Sequence, residues 1–308
     1  MPEGTQKKVL VVCPNPSIDI LAQIAEFTIG VPNRIQTEER YPGGKGLHVA
    51  MALAELGIDV TVLGFWGGAT GQWIKKETYK YYPKIQFIGP EIEELSRSCY
   101  TFKSNDTLND TELLGTGPVI TREQFENFLQ IFIESFLSYS MIAFSGSWPQ
   151  GVPEDAYKKL ISLAKNTSIK TFIDCTGVQL KNVLHEKPFC IHLNKKEIKD
   201  FFHTDQLEEA IENILQHTHY AAITDGANGL YFHQGNTVTH ALTSINKVLS
   251  TVGSGDCLLA GIIYGFIYDF SFEKIAMTGA ACGAANCMRK ELGMLYKNDV
   301  FELFKNNT

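Results

Sequence analysis

The chain is short of positive charge: 27 lysines and arginines against 34 aspartates and glutamates leave a formal net charge of −7 over 308 residues. That deficit excludes a chain-wide attraction to nucleic acid or to an anionic membrane, since either needs a basic face. A small anionic ligand stays open, because a few placed cations override the global field at short range. Long apolar runs are also missing. The longest, Cys257–Tyr268, is bounded by Asp256 and Asp269. It falls short of the roughly 18–20 residues that span a bilayer, so it predicts a buried helix. Near the N-terminus the run Val9–Cys13 stops at Pro14 and is too short for the core of a secretory leader. The seven cysteines are an odd number with no CxxC pair. Cys13, Cys99, Cys175 and Cys190 lie in apolar, strand-like runs and read as small buried hydrophobes, which fits a reducing cytoplasm. No His/Cys cluster has zinc spacing, no GxGxxG follows the first strand, and no repeat or low-complexity tract is present.

What remains is ordinary globular material, 44% hydrophobic and 20% charged, enough for a sizeable core. Short apolar runs at Val9–Cys13, Val60–Phe65, Met141–Phe144, Thr171–Asp174, Phe189–Leu193 and Ala221–Thr224 predict strands. Helical patterns cover Leu47–Leu56, Arg122–Leu137, Glu154–Ala164, Leu207–Gln216 and roughly 255–268 and 272–290, and a hairpin is centred on Gly235. Strands alternating with helices imply an α/β fold with a mostly parallel sheet covered on both faces. Residues 15–44 and 85–117 break the rhythm. Tyr100–Phe102 and Thr111–Leu114 read as strands paired across a turn at Asn105–Asn109. We expect a single domain over 1–308, with a small β lid built from these two stretches.

Four local patterns have chemistry to offer. Thr251-Val-Gly-Ser-Gly-Asp256 runs straight into the apolar helix. Gly253, Ser254 and Gly255 can present backbone N–H groups to an anion at a helix N-terminus, and Asp256 beside them can accept a hydroxyl proton. An aspartate here serves equally well as a helix cap. Pro42-Gly-Gly-Lys-Gly46 opens the helix at Leu47; it is not a Walker A loop, and an exposed turn is its plainer reading. Asn194-Lys-Lys-Glu197 puts Asn194 and Glu197 on one face of a first helical turn. There they could order water around Mg²⁺ or simply form a capping box. Thr224-Asp-Gly-Ala-Asn-Gly229 is a glycine-rich turn after a strand, open to a hairpin reading as well. All four fall at the C-terminal ends of strands, where open α/β sheets hold ligands. Two anion sites, an acid pair and a base are the parts of phosphoryl transfer.

With these motifs stand Asn15-Pro-Ser-Ile-Asp19, Asn33-Arg34, Gly64-Phe-Trp-Gly-Gly68, Ser145-Gly-Ser-Trp-Pro149 and Asp174-Cys-Thr-Gly177, in order over essentially the whole chain. Together they resemble the PfkB/ribokinase family of carbohydrate kinases, in its branch of tagatose-6-phosphate kinases and 1-phosphofructokinases. The resemblance implies a ribokinase-like three-layer fold with a β lid that forms a homodimer contact, and ATP-dependent phosphorylation of a ketohexose monophosphate with ATP and Mg²⁺. Asp256 would be the catalytic base, and Gly253, Ser254 and Gly255 the anion hole. Asp19, Gly43 and Gly44 would bind sugar hydroxyls, and Lys45 and Arg97 would face the phosphate already on the substrate. Thr224, Gly226 and Gly229 would border ATP with Asn286 near the adenine, while Asn194 and Glu197 would organise Mg²⁺ through water. The chain departs from the family pattern at four points. His48 stands where GGKGxN has Asn in the substrate pocket, and Ser98 replaces Asn after Arg97. His192 replaces a lysine near the nucleotide phosphates, and Cys257 replaces Ser after GxGD. Two alternatives stay open: a nucleoside or other small-alcohol kinase of the same fold, and a sugar-phosphate-binding regulator with weakened catalysis.

Overall fold

The computed structural model describes residues 8–104 and 110–306. In chain order, β1 (Lys8–Val12), β2 (Ser17–Ile24) and β3 (Ile35–Gly43) lead into helix α1 (Lys45–Glu55) and β4 (Asp59–Leu63). Then come β5 (Trp66–Gly67), α2 (Gly68–Tyr81), β6 (Gln86–Ile88), β7 (Glu91–Ile92), β8 (Arg97–Lys103) and β9 (Thr111–Leu114). The middle of the chain holds α3 (Arg122–Ser135), β10 (Met141–Ser145), α4 (Ala156–Ala164), β11 (Lys170–Asp174), α5 (Gly177–Leu184) and β12 (Cys190–Asn194). Helices α6 (Lys195–Phe202) and α7 (Leu207–Leu215) precede β13 (Tyr220–Thr224), β14 (Leu230–Gln234) and β15 (Thr237–Ala241). Helices α8 (Ser254–Ile267), α9 (Phe272–Cys287) and α10 (Lys297–Asn306) close it.

The continuous apolar runs pair as expected. A nine-stranded sheet has the order β15-β14-β13-β12-β11-β10-β1-β4-β6, parallel from β13 to β6. Only β14 runs against the rest, pairing antiparallel with β13 and, through the hairpin at Gly235, with β15. Alternate side chains serve opposite faces. Val9 and Val11 join one core with α1, α8 and α9, while Leu10 and Val12 join another with α3 to α7. Two covered faces explain why these strands carry no polar alternation. Each fully buried Leu, Val or Phe contributes roughly 1.5–3 kcal/mol. Helix α8 is apolar nearly all round because it lies within the first of these cores. Among the described residues no helix is long and apolar enough to cross a membrane.

A four-stranded mixed sheet, β3-β2-β8-β9, stands apart from the large one. Tyr100 faces Leu113 and Phe102 faces Thr111 in the expected pairing; the turn at Asn105–Asn109 lies outside the described residues. The small sheet takes less of 85–117 than the sequence reading assigned to it. β6 extends the large sheet beside β4, and β7 pairs with β5. The reason is α2, which makes β4-α2-β6 a parallel crossover unit. Its buried residues are only Gly71, Ile74 and Thr78, a stripe too narrow to read as helical periodicity.

Candidate active site

The C-terminal ends of the parallel strands bring the sequence motifs to one edge: Ser145 is in register with Asp174, and Asn194 with Thr224. The N-termini of α1 and α8 meet there too. Asp256 is in the first turn of α8, and the cap is Gly253 in a left-handed conformation at φ 82°, so the aspartate is not the helix cap. Gly253 is the residue that can turn there without strain. Asp256 is 4% exposed. Burial raises its carboxyl above the usual range with Asp174 adding to the effect, and His48 and Lys45 offset this only in part.

His48 lies between two carboxylates. Nδ1 is 2.9 Å from Asp256 Oδ2, and Nε2 is 3.1 Å from Asp19 Oδ2, the latter a close ionic contact without the alignment of a full hydrogen bond. Burial opposes charge on the ring, but these two partners outweigh it and push its pKa up to about 10. Asp19 also accepts from the Ser17 hydroxyl at 2.6 Å. Burial would raise Asp19, yet His48 and Ser17 hold it below its ordinary value. Gly43 is required beside it, since a Cβ there would stand 2.0 Å from the Asp19 carboxyl carbon. His48 was expected in the substrate pocket, and both of its ring nitrogens face protein carboxylates expected there too.

One helical turn before His48, Lys45 points the other way. Its Nζ donates to Asp174 Oδ1 at 2.8 Å and lies 3.6 Å from Glu197, with 41% of the side chain still open to the cleft. Asp174 has no exposed surface and also meets His192 Nδ1 at 3.3 Å. Its carboxyl would be raised by burial, but Lys45 and His192 hold it well below the carboxylate range. His192 is itself raised: burial works against the charge, and Asp174 and Glu197 overcome it. Its Nε2 reaches Thr224 Oγ1 at 3.4 Å. The sequence reading quoted Asp174 only within a motif; its signal was a lone carboxylate ending an apolar strand. Glu112 on β9 was missed as well. It is exposed in the chain alone, yet partial desolvation and then the charge of Asp19 raise its carboxyl, and it also feels His48 and Asp256.

The remaining expected residues divide. Asn194 and Glu197 form a complete capping box, each accepting at 2.8 Å from the other's backbone N–H, which leaves Glu197 Oε1 toward Lys45. Gly226 and Gly229 lie in the turn joining β13 to antiparallel β14, the hairpin that sequence left open. Arg97 donates to the backbone carbonyls of Asn15 and Gly115, both at 3.1 Å, so it and Lys45 have different protein partners. Asn286 does not line the cleft. It is wholly buried and donates to the Met294 carbonyl at 2.9 Å, because α9 packs that face inward. Cys257 is buried against the Gly293 carbonyl. The small sheet touches the segment leading into α8: Lys103 donates to the Leu249 carbonyl, and Asp110 accepts from the Thr251 N–H at 2.7 Å and its hydroxyl at 2.9 Å. Among the described residues no group of three or more His, Cys, Asp or Glu side chains is arranged to hold a metal ion.

The model of the pfkB family carbohydrate kinases matches residues 14–295, the stretch that carries all of these side chains. The chain belongs to the pfkB family. This pfkB-family protein is 29% identical over 285 residues to a 1-phosphofructokinase of Bacillus subtilis (strain 168), covering 91% of the chain and 92% of that relative. It is 30% identical over 306 residues to a tagatose-6-phosphate kinase of Staphylococcus epidermidis (strain ATCC 12228), covering 96% and 97%. The crystal structure of a ribokinase from Thermotoga maritima superposes over 97% of this chain and 99% of its own, with a TM-score of 0.79 at 18% identity. The pfkB-family fold here is therefore ribokinase-like.

Proposed function

We propose that this protein transfers the γ-phosphoryl group of ATP to the free terminal hydroxyl of a ketohexose monophosphate, with tagatose 6-phosphate and fructose 1-phosphate as the leading acceptors. The observation that carries this reading is Asp256: a buried carboxylate with a raised pKa, in the first turn of a helix whose glycine-flanked N-terminus attracts anions. The acceptor oxygen forms a bond to the γ-phosphorus as its proton passes to Asp256, and the bond to the β-phosphate oxygen breaks to release ADP. Backbone N–H groups at Gly253, Ser254 and Gly255 would hold the charge on the transferring group. Asp19 and the Gly43-Gly44 turn would orient sugar hydroxyls. Arg97, with the open part of Lys45, would face the substrate's phosphate. Thr224, Gly226 and Gly229 would border the nucleotide.

Mg²⁺ fits the oxygen chemistry of this edge. With no three-ligand cluster among the described residues and both Asn194 and Glu197 engaged in a cap, it would arrive on the ATP phosphates and meet those two residues through water. There it would neutralise phosphate charge. The small sheet would act as a lid over the acceptor and as the contact of a homodimer. All seven cysteines are free, in keeping with a reducing cytoplasm. An ADP-release assay across tagatose 6-phosphate, fructose 1-phosphate, ribose and adenosine tests the reading. Turnover of ribose or adenosine equal to that of the sugar phosphates would refute it. Asp256→Asn should lower kcat about 10³-fold or more with ATP binding nearly intact, and a mild loss would remove Asp256 from its role.

A further inference from the structure

The transfer step as described gives His48 nothing to do, although its ring touches the base. The imidazole is 3% exposed and flanked by backbone without side chains: a Cβ on Gly293 would lie 2.0 Å from its Cδ2, and one on Gly253 would lie 3.2 Å from its Nδ1. The slot therefore admits a flat ring only because both neighbours are glycine. Within it the two nitrogens reach carboxylates on separate elements, Asp256 on α8 at 2.9 Å and Asp19 on β2 at 3.1 Å. Two buried carboxylates this close repel each other unless a cation separates them. Asp256 meets the ring through Oδ2, and Asp19 keeps Oδ1 for the Ser17 hydroxyl.

We propose that His48 is a positioning residue, a charged bridge that joins Asp256 to Asp19 and leaves Asp256 Oδ1 for the acceptor hydroxyl. The proposal rests on the kinase reading above. Across the ring stand Asp19, Asp256 and, through space, Glu112. On the positive side are Arg97, which acts on Asp19, and Lys45, which acts on Asp256; the buried Cys13 thiol is also near Asp256. Asp19 and Asp256 together outweigh burial, so the bridge persists through neutral pH and opens as the ring loses its proton around pH 10. Below that, its charge favours the ionised form of Asp256.

The experiment combines imidazole NMR titration with pH profiles of kcat for wild type and His48→Asn, using tagatose 6-phosphate and fructose 1-phosphate as acceptors. In the wild type one imidazole, absent from the His48→Asn spectrum, should still be protonated at pH 8.5. His48→Asn should move the acid limb of kcat up by about one unit or more and lower kcat at pH 7 about tenfold, with KM for ATP within twofold. Asp19→Asn, which keeps the ring, should bring that imidazole's titration down toward the ordinary range. This second variant carries the test should His48→Asn fail to fold. An imidazole titrating near pH 6.5 in the wild type, or superimposable profiles, would overturn the bridge. Superimposable profiles beside an inactive Asp256→Asn would overturn the bridge alone; an active Asp256→Asn would also remove Asp256 as the base, and a wild type that turns over neither acceptor would overturn the kinase reading.

Discussion

Asp174 shows what a single buried charge requires. Without exposed surface, it depends on Lys45 and His192 to stay ionised, and Asp174→Asn removes the negative partner of both. The variant should unfold about 2 kcal/mol more easily at pH 7, measured by denaturant melts. The sign follows from the direction of the shift. A carboxyl depressed in the folded state stabilises above its unfolded value, about pH 4, so the gap between wild type and variant should narrow progressively as the pH falls below that. Some of this site was legible in the sequence. Gly-Ser-Gly-Asp at the head of an apolar helix pointed to Asp256, because glycine, helix start and acid are all local signals. The partner of Asp256 was not legible, since His48 is 208 residues away and only the packing of α1 on α8 brings the two together. The burial of Asn286 was equally out of reach: nothing local says which face of α9 turns inward.

At the scale of elements, the strands were the readable part, because two covered faces demand unbroken apolar runs. Helices with thin buried stripes were not. α2 escaped, and with it the crossover that puts β6 into the large sheet instead of the small one. Capping was readable as an alternative: Asn194-Lys-Lys-Glu197 is the box its spacing allowed, and it still leaves one Glu197 oxygen toward Lys45. The tie between the small sheet and the segment before α8 spans 141 residues and had no sequence signal. Burial would raise the Asp110 carboxyl, but bonds from Thr251 and Lys103 keep it low and so keep it a strong acceptor. Asp110→Ala should speed amide exchange across 249–253 and raise KM for the acceptor several-fold, while the melting temperature stays within a few degrees. Unchanged exchange there would show that the small sheet does not brace the loop.

For the whole molecule, the small sheet presents apolar surface that the monomer leaves uncovered: Leu113 and Leu114 on β9 are 59% and 63% exposed, with Ile35 on β3 and nearby Phe27 also open. Apolar area of this kind favours burial against a second copy. Light scattering at micromolar concentration should give a dimer mass, and Leu114→Asp should give a monomer that keeps its melting temperature. A monomeric wild type would rule out the homodimer contact. Helix α1 carries a further consequence across the molecule. Lys45 answers to Asp174 and Glu197 and His48 to Asp19 and Asp256, and the two sit three residues apart on one rigid turn. A ligand that draws Lys45 away from Asp174 therefore shifts the field felt at Asp256. In the proposed kinase that single turn of helix would link the two substrates: whatever ATP did to the affinity for the sugar, the sugar would do equally to the affinity for ATP.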